Sequence, residues 1–234
     1  MISVAIVGNG NVGSHLWKAF QKVDDIEVTQ INSRALDTHR VFDVIIIAVT
    51  DDAILDVSSH IENSFVAHTS GSVEMSALQN SGNKGVIYPL QSFSKDKKID
   101  FTKVPFCLEA ENDKDMKVLE KLVKALKGNV FHFNSEQRKS IHVAAVFVNN
   151  FANHMYTIAH DICKQYDVPF DILESLIQET SKKIQVLSPL EAQTGPAKRN
   201  DTETIQNHLA LLNKAQQEIY LKLTESIQEH GKKL

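Results

Sequence analysis

Ile2-Ser-Val-Ala-Ile-Val-Gly8-Asn-Gly10-Asn-Val-Gly13 decides the fold of this chain. Six residues of strand character run into G-x-G-x-x-G, and residues 12–22 continue at helical spacing. The pattern alone is weak, but between a strand and a helix it is what a dinucleotide-binding turn requires. Gly8 permits the tight turn, Gly10 lets the backbone approach a pyrophosphate, and Gly13 lets the helix pack closely on the strand. Asn9 belongs to the same loop, and the amides around Asn11 and Val12 then face the phosphates.

Outward from this turn, strand and helix signals alternate as a parallel α/β sheet requires. Further strands are expected at 26–31, 43–49, 65–68, 85–88, 105–109 and 129–133. Three successive isoleucines in 43–49 mark a strand buried on both faces. Helices are expected at 51–61 and 113–127, the second stopped by Gly128. After Phe133 no strand signal remains. Asn134 with Gln137 gives a capping-box start to a long helical stretch that Asp167-Val-Pro169 interrupts. A second helix is expected at 170–187, a loop at 188–200, and a third helix at about 202–230 with a stripe from Ile205 to Ile227. The expected class is α/β: a Rossmann-type parallel sheet domain over 1–133, then an all-α helical domain over 134–234.

Composition removes other classes. The chain has 234 residues, 42% hydrophobic and 23% charged, as an ordinary globular protein does. A formal charge of −4 offers no footprint for nucleic acid or an anionic membrane surface. Cys107 and Cys163 are far apart, so neither a disulfide framework nor a zinc site is suggested. The longest apolar run, residues 44–49, is too short to span a bilayer. Nothing resembles a signal peptide, and a cytoplasmic address is expected.

The ends of the strands carry the candidate chemistry. Where NAD-selective sites usually place an Asp or Glu, about 20 residues after the glycines, this chain has Asn32-Ser33-Arg34 and no carboxylate until Asp37. A hydroxyl and a guanidinium suit a 2′-phosphate, so Ser33 and Arg34 favour NADP. Val49 and Thr50 end the isoleucine strand and could line the cofactor, with Asp51 capping the next helix. The loop His68-Thr69-Ser70-Gly71-Ser72 could hold a substrate's polar end, or be a plain turn with a cap at Ser72.

From Ser140 to His160 no Lys, Arg, Asp or Glu occurs, and such a helix is usually covered on most sides. His142, Asn149, Asn153, Tyr156 and His160 share one stripe, and Asn150 lies beside it. A cleft is expected near His142 and Asn149, and a helix or dimer contact near Tyr156 and His160. No pair of histidines there has the spacing of a helical metal site, so no metal is expected.

Together these segments resemble a family of NADP oxidoreductases that joins a Rossmann domain to a helical domain of unassigned function. That family is related to pyrroline-5-carboxylate reductase and, more distantly, to 6-phosphogluconate dehydrogenase. The resemblance rests on Gly8 to Gly13, the His68-Thr-Ser-Gly71 loop, Tyr88-Pro-Leu-Gln91-Ser-Phe93, His142 through Asn150, and Thr194-Gly-Pro196 with Arg199 and Asp201. It implies a homodimer through the helical domains and a substrate cleft between the two domains. Tyr88 stands where the family is associated with His, and Asn200 where Gly is common. Lys139 is followed four residues on by Val143, so the Lys–Asn pair of the related hydroxyacid dehydrogenases is absent.

Two functions are consistent with these residues. The first is hydride transfer between NADPH and a small imine or carbonyl, with His142 donating the proton and Ser70 and Asn150 orienting the substrate. His68, Thr69 and Asn149 would help to hold that substrate, and Arg199 would attract a carboxylate or phosphate. The second is a non-catalytic NADP-binding sensor or scaffold acting through a helical dimer.

Overall fold

The computed structural model describes residues 1–34 and 40–231; Asp37 lies outside them. The chain runs β1 (Ile2–Val7), α1 (Asn11–Phe20), β2 (Ile26–Ile31), β3 (Val44–Ile47), α2 (Ile54–Ser59) and β4 (Val66–His68). Next come β5 (Lys84–Pro89), β6 (Pro105–Ala110), α3 (Asp113–Ala125), β7 (Asn129–His132) and α4 (Ser135–Ala145). A π-helical segment, Val146–Phe151, leads into α5 (Ala152–Gln165), α6 (Glu174–Lys183), α7 (Pro189–Ala192), α8 (Pro196–Arg199), α9 (Thr202–Ala210) and α10 (Lys214–Gly231). The chain packs as two units, Met1–Asn150 and Phe151–Leu234.

The first unit is built on one seven-stranded sheet, ordered β2-β1-β3-β4-β5-β6-β7. Val7 pairs with Ile31 and with Ile47, and Ile47 pairs with His68, so β1 to β4 end level with one another. The loops that carry Gly8, Ser33, Val49 and Thr69 therefore leave along one rim. Because β2 and β3 lie on either side of β1, the glycine loop stands at the point where the winding reverses, which is where such sheets hold ligands.

The sheet is not parallel throughout, as the alternation suggested. β5 and β6 are antiparallel, with Tyr88 opposite Cys107. Residues 90–104 hold only a single 3-10 turn, Phe101–Lys103, and a parallel return would need a longer crossover, usually helical.

Alternation along the strands feeds two cores. Val4, Ile6, Val44 and Ile46 meet Leu16 and Phe20 of α1 and Leu119 and Leu122 of α3. Ala5, Val7, Ile45 and Ile47 meet Ile54 and Val57 of α2. The isoleucine strand is covered on both sides, as its sequence required.

Helix ends differ from expectation in instructive ways. Gly128 does not supply the left-handed stop of α3; Lys127 does, at φ 57°. Gly128 donates its N–H to the Val123 carbonyl, and a Cβ there would lie 2.9 Å from the Phe106 ring, so its smallness serves packing. The capping box at Asn134 and Gln137 forms as read, with both reciprocal hydrogen bonds present.

The expected third helix is broken between α9 and α10. Asn213 and Gln216 exchange backbone and side-chain hydrogen bonds there, which starts a new helix. The expected loop at 188–200 contains the short helices α7 and α8. Within the second unit, Tyr166 donates to the Leu211 carbonyl at 3.1 Å, and His208 Nδ1 lies 2.8 Å from Tyr220 Oη.

The uncharged stretch is not covered in the single chain. No residue from 140 to 160 is buried, and Val148 is 76% exposed. Among the described residues, no helix is long and apolar enough to cross a membrane.

These helix ends generate one prediction. Gly128→Ala should cost about 1–3 kcal/mol by overpacking against Phe106, whereas Lys127→Gly should leave stability unchanged or slightly raised. Urea unfolding of both variants measures this, and a neutral Gly128→Ala would contradict the packing role.

Candidate functional site

The glycine loop is shaped by contacts that only glycine allows. Gly8 has φ 121°, and a Cβ on it would sit 2.3 Å from the Ala48 carbonyl oxygen. A Cβ on Gly13 would meet the Gly8 oxygen at 2.6 Å, which is the close packing of helix on turn. Gly10 is different, since a Cβ there would meet nothing within 4 Å. Its backbone faces open space.

Gly10 is also the N-cap of α1, with no side chain bonded to the free amides and no acidic residue in the first turn. The amides at this end therefore remain available to an anion. Two side chains pin the loop: Ser14 Oγ donates to the Asn9 carbonyl and Gln30 Nε2 to the Gly8 carbonyl, both at 3.0 Å.

A cavity of about 770 Å³ opens above this end of the sheet. Gly8 through Val12 form its floor, with Ser33, Arg34, Val49, Thr50 and Thr69 around the wall. Asn32 Oδ1 accepts from the Arg34 N–H at 3.0 Å and turns the chain beyond β2. Among the described lining residues Arg34 is the one guanidinium and Asp56 the one carboxylate. The donors, the open glycine and the cationic wall fit a phosphorylated dinucleotide.

A second cavity, of about 760 Å³, lies beside the first and shares Gln91 and Phe93 with it as walls. The loop carrying them is tied to α1: Asn11 Nδ2 donates to the Phe93 carbonyl at 3.0 Å, and His15 Nε2 to the Ser94 carbonyl at 2.9 Å. Tyr88, His142, Asn149 and Asn150 line this second cavity. Asn149 and Asn150 both reach it because they lie in the π-helical segment. A π turn closes its hydrogen bonds five residues back instead of four, so it advances less per residue than the regular spacing assumed above.

His142 Nδ1 lies 2.9 Å from Tyr88 Oη. Burial, reinforced by the neighbouring Cys107, pushes the Tyr88 phenol up to about 12, against the opposing pull of Arg138. Arg138 is a residue the sequence reading missed, and Tyr88 was marked there only as a departure from the family's His. Tyr88 is the penultimate residue of β5, and Arg138 precedes His142 by one helical turn; both were legible as positions, not as partners.

The His68 loop lies beneath this cleft. His68 is fully buried, and its Nδ1 accepts the Ser70 N–H at 3.1 Å. Its Nε2 meets no partner of ordinary hydrogen-bond geometry. Burial, then the Arg138 charge, pushes the imidazole down to about 4. Ser70 Oγ accepts from the N–H groups of Ser72 and Val73, at 3.1 and 3.0 Å, and so shapes the turn. Asp51 does not cap α2; its carboxylate accepts from Ser72 Oγ in a short hydrogen bond. Arg199 belongs to the second unit, where it is exposed and its Nη2 lies 3.8 Å from the Asp201 carboxylate.

A doubly wound sheet with an open glycine turn defines the class: the chain has an oxidoreductase-type dinucleotide fold. It belongs to the family whose model is described as a domain of unknown function, DUF2520, matched over residues 104–227. A Bacteroides fragilis protein named provisionally as an NADP oxidoreductase is 33% identical, with a TM-score of 0.86 covering 97% of this chain and 98% of that one. A Thermotoga maritima protein is 19% identical at a TM-score of 0.74, over 98% of both chains. The 1-pyrroline-5-carboxylate reductase of Streptococcus pyogenes shares the fold at 12% identity and a TM-score of 0.62, covering 100% and 99%. No curated protein sequence matches the chain.

The buried imidazole makes stability depend on pH. An unfolded histidine takes up a proton near 6.5 and His68 only near 4, so acid favours the unfolded chain between these values. Stability should fall by about 3 kcal/mol as pH drops through that window. Urea midpoints of wild type and His68→Asn measure it, and equal pH slopes for the two would contradict the assignment.

Proposed function

We propose that the chain is an NADP-dependent oxidoreductase that transfers a hydride between NADPH and a small imine or carbonyl substrate. The observation that carries this reading is the sharing of Gln91 and Phe93 by the phosphate-ready cavity and the His142 cleft. The first cavity offers the means of holding a cofactor, and the second offers hydrogen-bonding groups for a reacting molecule. The similarity to a provisional NADP oxidoreductase at 33% identity supports the same reading.

The amides of Gly10 to Val12 would hold the pyrophosphate, Ser33 and Arg34 the 2′-phosphate, and Val49 and Thr50 would line the wall. Bound NADPH supplies the hydride. His142 supplies the proton, and Asn149 and Asn150 orient the substrate from the π turn. Ser70 acts from below, holding the turn that places Gly71 against the His142 ring. We also read the exposed uncharged stretch, which includes Val143 and Val148, as the surface through which two copies pair.

Cofactor fluorescence titration with NADPH and NADH tests the first step. NADPH should bind selectively, and Arg34→Ala should weaken it roughly 10- to 100-fold while leaving NADH unchanged. Equal affinity for both nucleotides would contradict the phosphate role of Arg34. His142→Ala should keep NADPH affinity and lower turnover by about 10²–10⁴. Binding without oxidation of NADPH on any imine or carbonyl would instead mark a sensor.

A further inference from the structure

We propose that Tyr88 delivers the proton to the substrate, with His142 standing behind it as the reserve that replaces that proton. This rests on the reductase reading above and specifies its chemistry. Among the described residues lining the cleft, Tyr88 and His142 are the only titratable side chains, so the proton has no other local source.

Their arrangement is tightly held. The rings meet edge-on, with centroids 5.8 Å apart at 74°, and Oη and Nδ1 are 2.9 Å apart. Gly71 closes the third side, where a Cβ would lie 2.5 Å from Nδ1 and 2.8 Å from Tyr88 Cζ. The hydrogen bond engages Nδ1 with Tyr88, so a proton held on that nitrogen leaves by way of Oη.

The phenol's environment supports a relay rather than a lone donor. Burial, Cys107 and Asp51 disfavour a phenolate here, against the pull of Arg138. Simple donation by Tyr88 would leave that costly phenolate behind. In the relay, the substrate carbon accepts the hydride pair while the C=N or C=O π pair takes the proton from Tyr88 Oη. The proton on His142 Nδ1 passes to the phenol oxygen in the same event. His142 enters this step with both ring nitrogens protonated and ends neutral, Tyr88 ends as a phenol, and the product has gained one hydride and one proton.

Tyr88→Phe removes the hydroxyl and keeps the ring. The probes are 1-pyrroline and small aldehydes, with NADPH oxidation followed by absorbance. Tyr88→Phe should lower kcat about 100-fold or more, with KM, NADPH affinity and the thermal midpoint unchanged. Wild-type kcat in Tyr88→Phe beside a slow His142→Ala would overturn the relay and leave the reductase reading standing. Loss of activity together with weaker NADPH binding or a lower midpoint would make Tyr88 structural and also overturn it. No oxidation of NADPH on any probe by the wild type would sink the reductase reading, and the relay with it.

Discussion

A buried guanidinium holds this site together. Arg138 is fully buried in the first turns of α4, where it makes an ion pair with Glu109 of β6 and donates to the Val73 carbonyl and to Ser135 Oγ. A charge out of water is tolerated only with such partners, and removing one of them typically costs about 3–5 kcal/mol. The same charge adds to the burial that depresses His68, and it restrains the burial-driven rise at Tyr88 and Cys107. His142 follows Arg138 by four residues, so it sits on the same helical face one turn on. Fixing Arg138 to both the sheet and the loop after β4 therefore aims His142 at Tyr88 and Gly71.

Two pieces of ordinary folding physics bring the chemistry to this anchor. Level strand ends place the glycine turn, the Arg34 turn and the Thr69 loop along one rim. The capping box at Asn134 starts α4 at the point where β7 ends, and the π turn then spreads Asn149 and Asn150 onto one cleft. The loop through Gln91 and Phe93, tied to α1, joins the two cavities. The two cavities thus depend on one rim and one helix.

Features carried by local chemistry were legible in the sequence. Gly8 and Gly13 make the close backbone contacts that the spacing implied, and Asn134 with Gln137 caps α4 as read. Features set by long-range pairing were not. The antiparallel return of β6 leaves no mark in a strand's own residues, and the π turn hides within good helical spacing. Asn213 and Gln216 repeat the same capping signature inside an apolar stripe, and the stripe masked it. The absence of charge read as a helix covered on most sides, and the structure leaves that stretch exposed. Tyr88 stood out only as a substitute for the family's His, and its pairing with His142 stayed hidden because the two lie 54 positions apart.

We infer that the dinucleotide cavity and the Tyr88–His142 cleft form one site. The most direct test is the nitrogen NMR signal of the His142 ring, assigned with His142→Gln in histidine-labelled protein and followed while NADP is added. The ring signals should move and saturate with the same Kd as cofactor binding measured by fluorescence. Ring signals that stay fixed at saturating NADP would contradict it, because the two cavities would then act as separate sites.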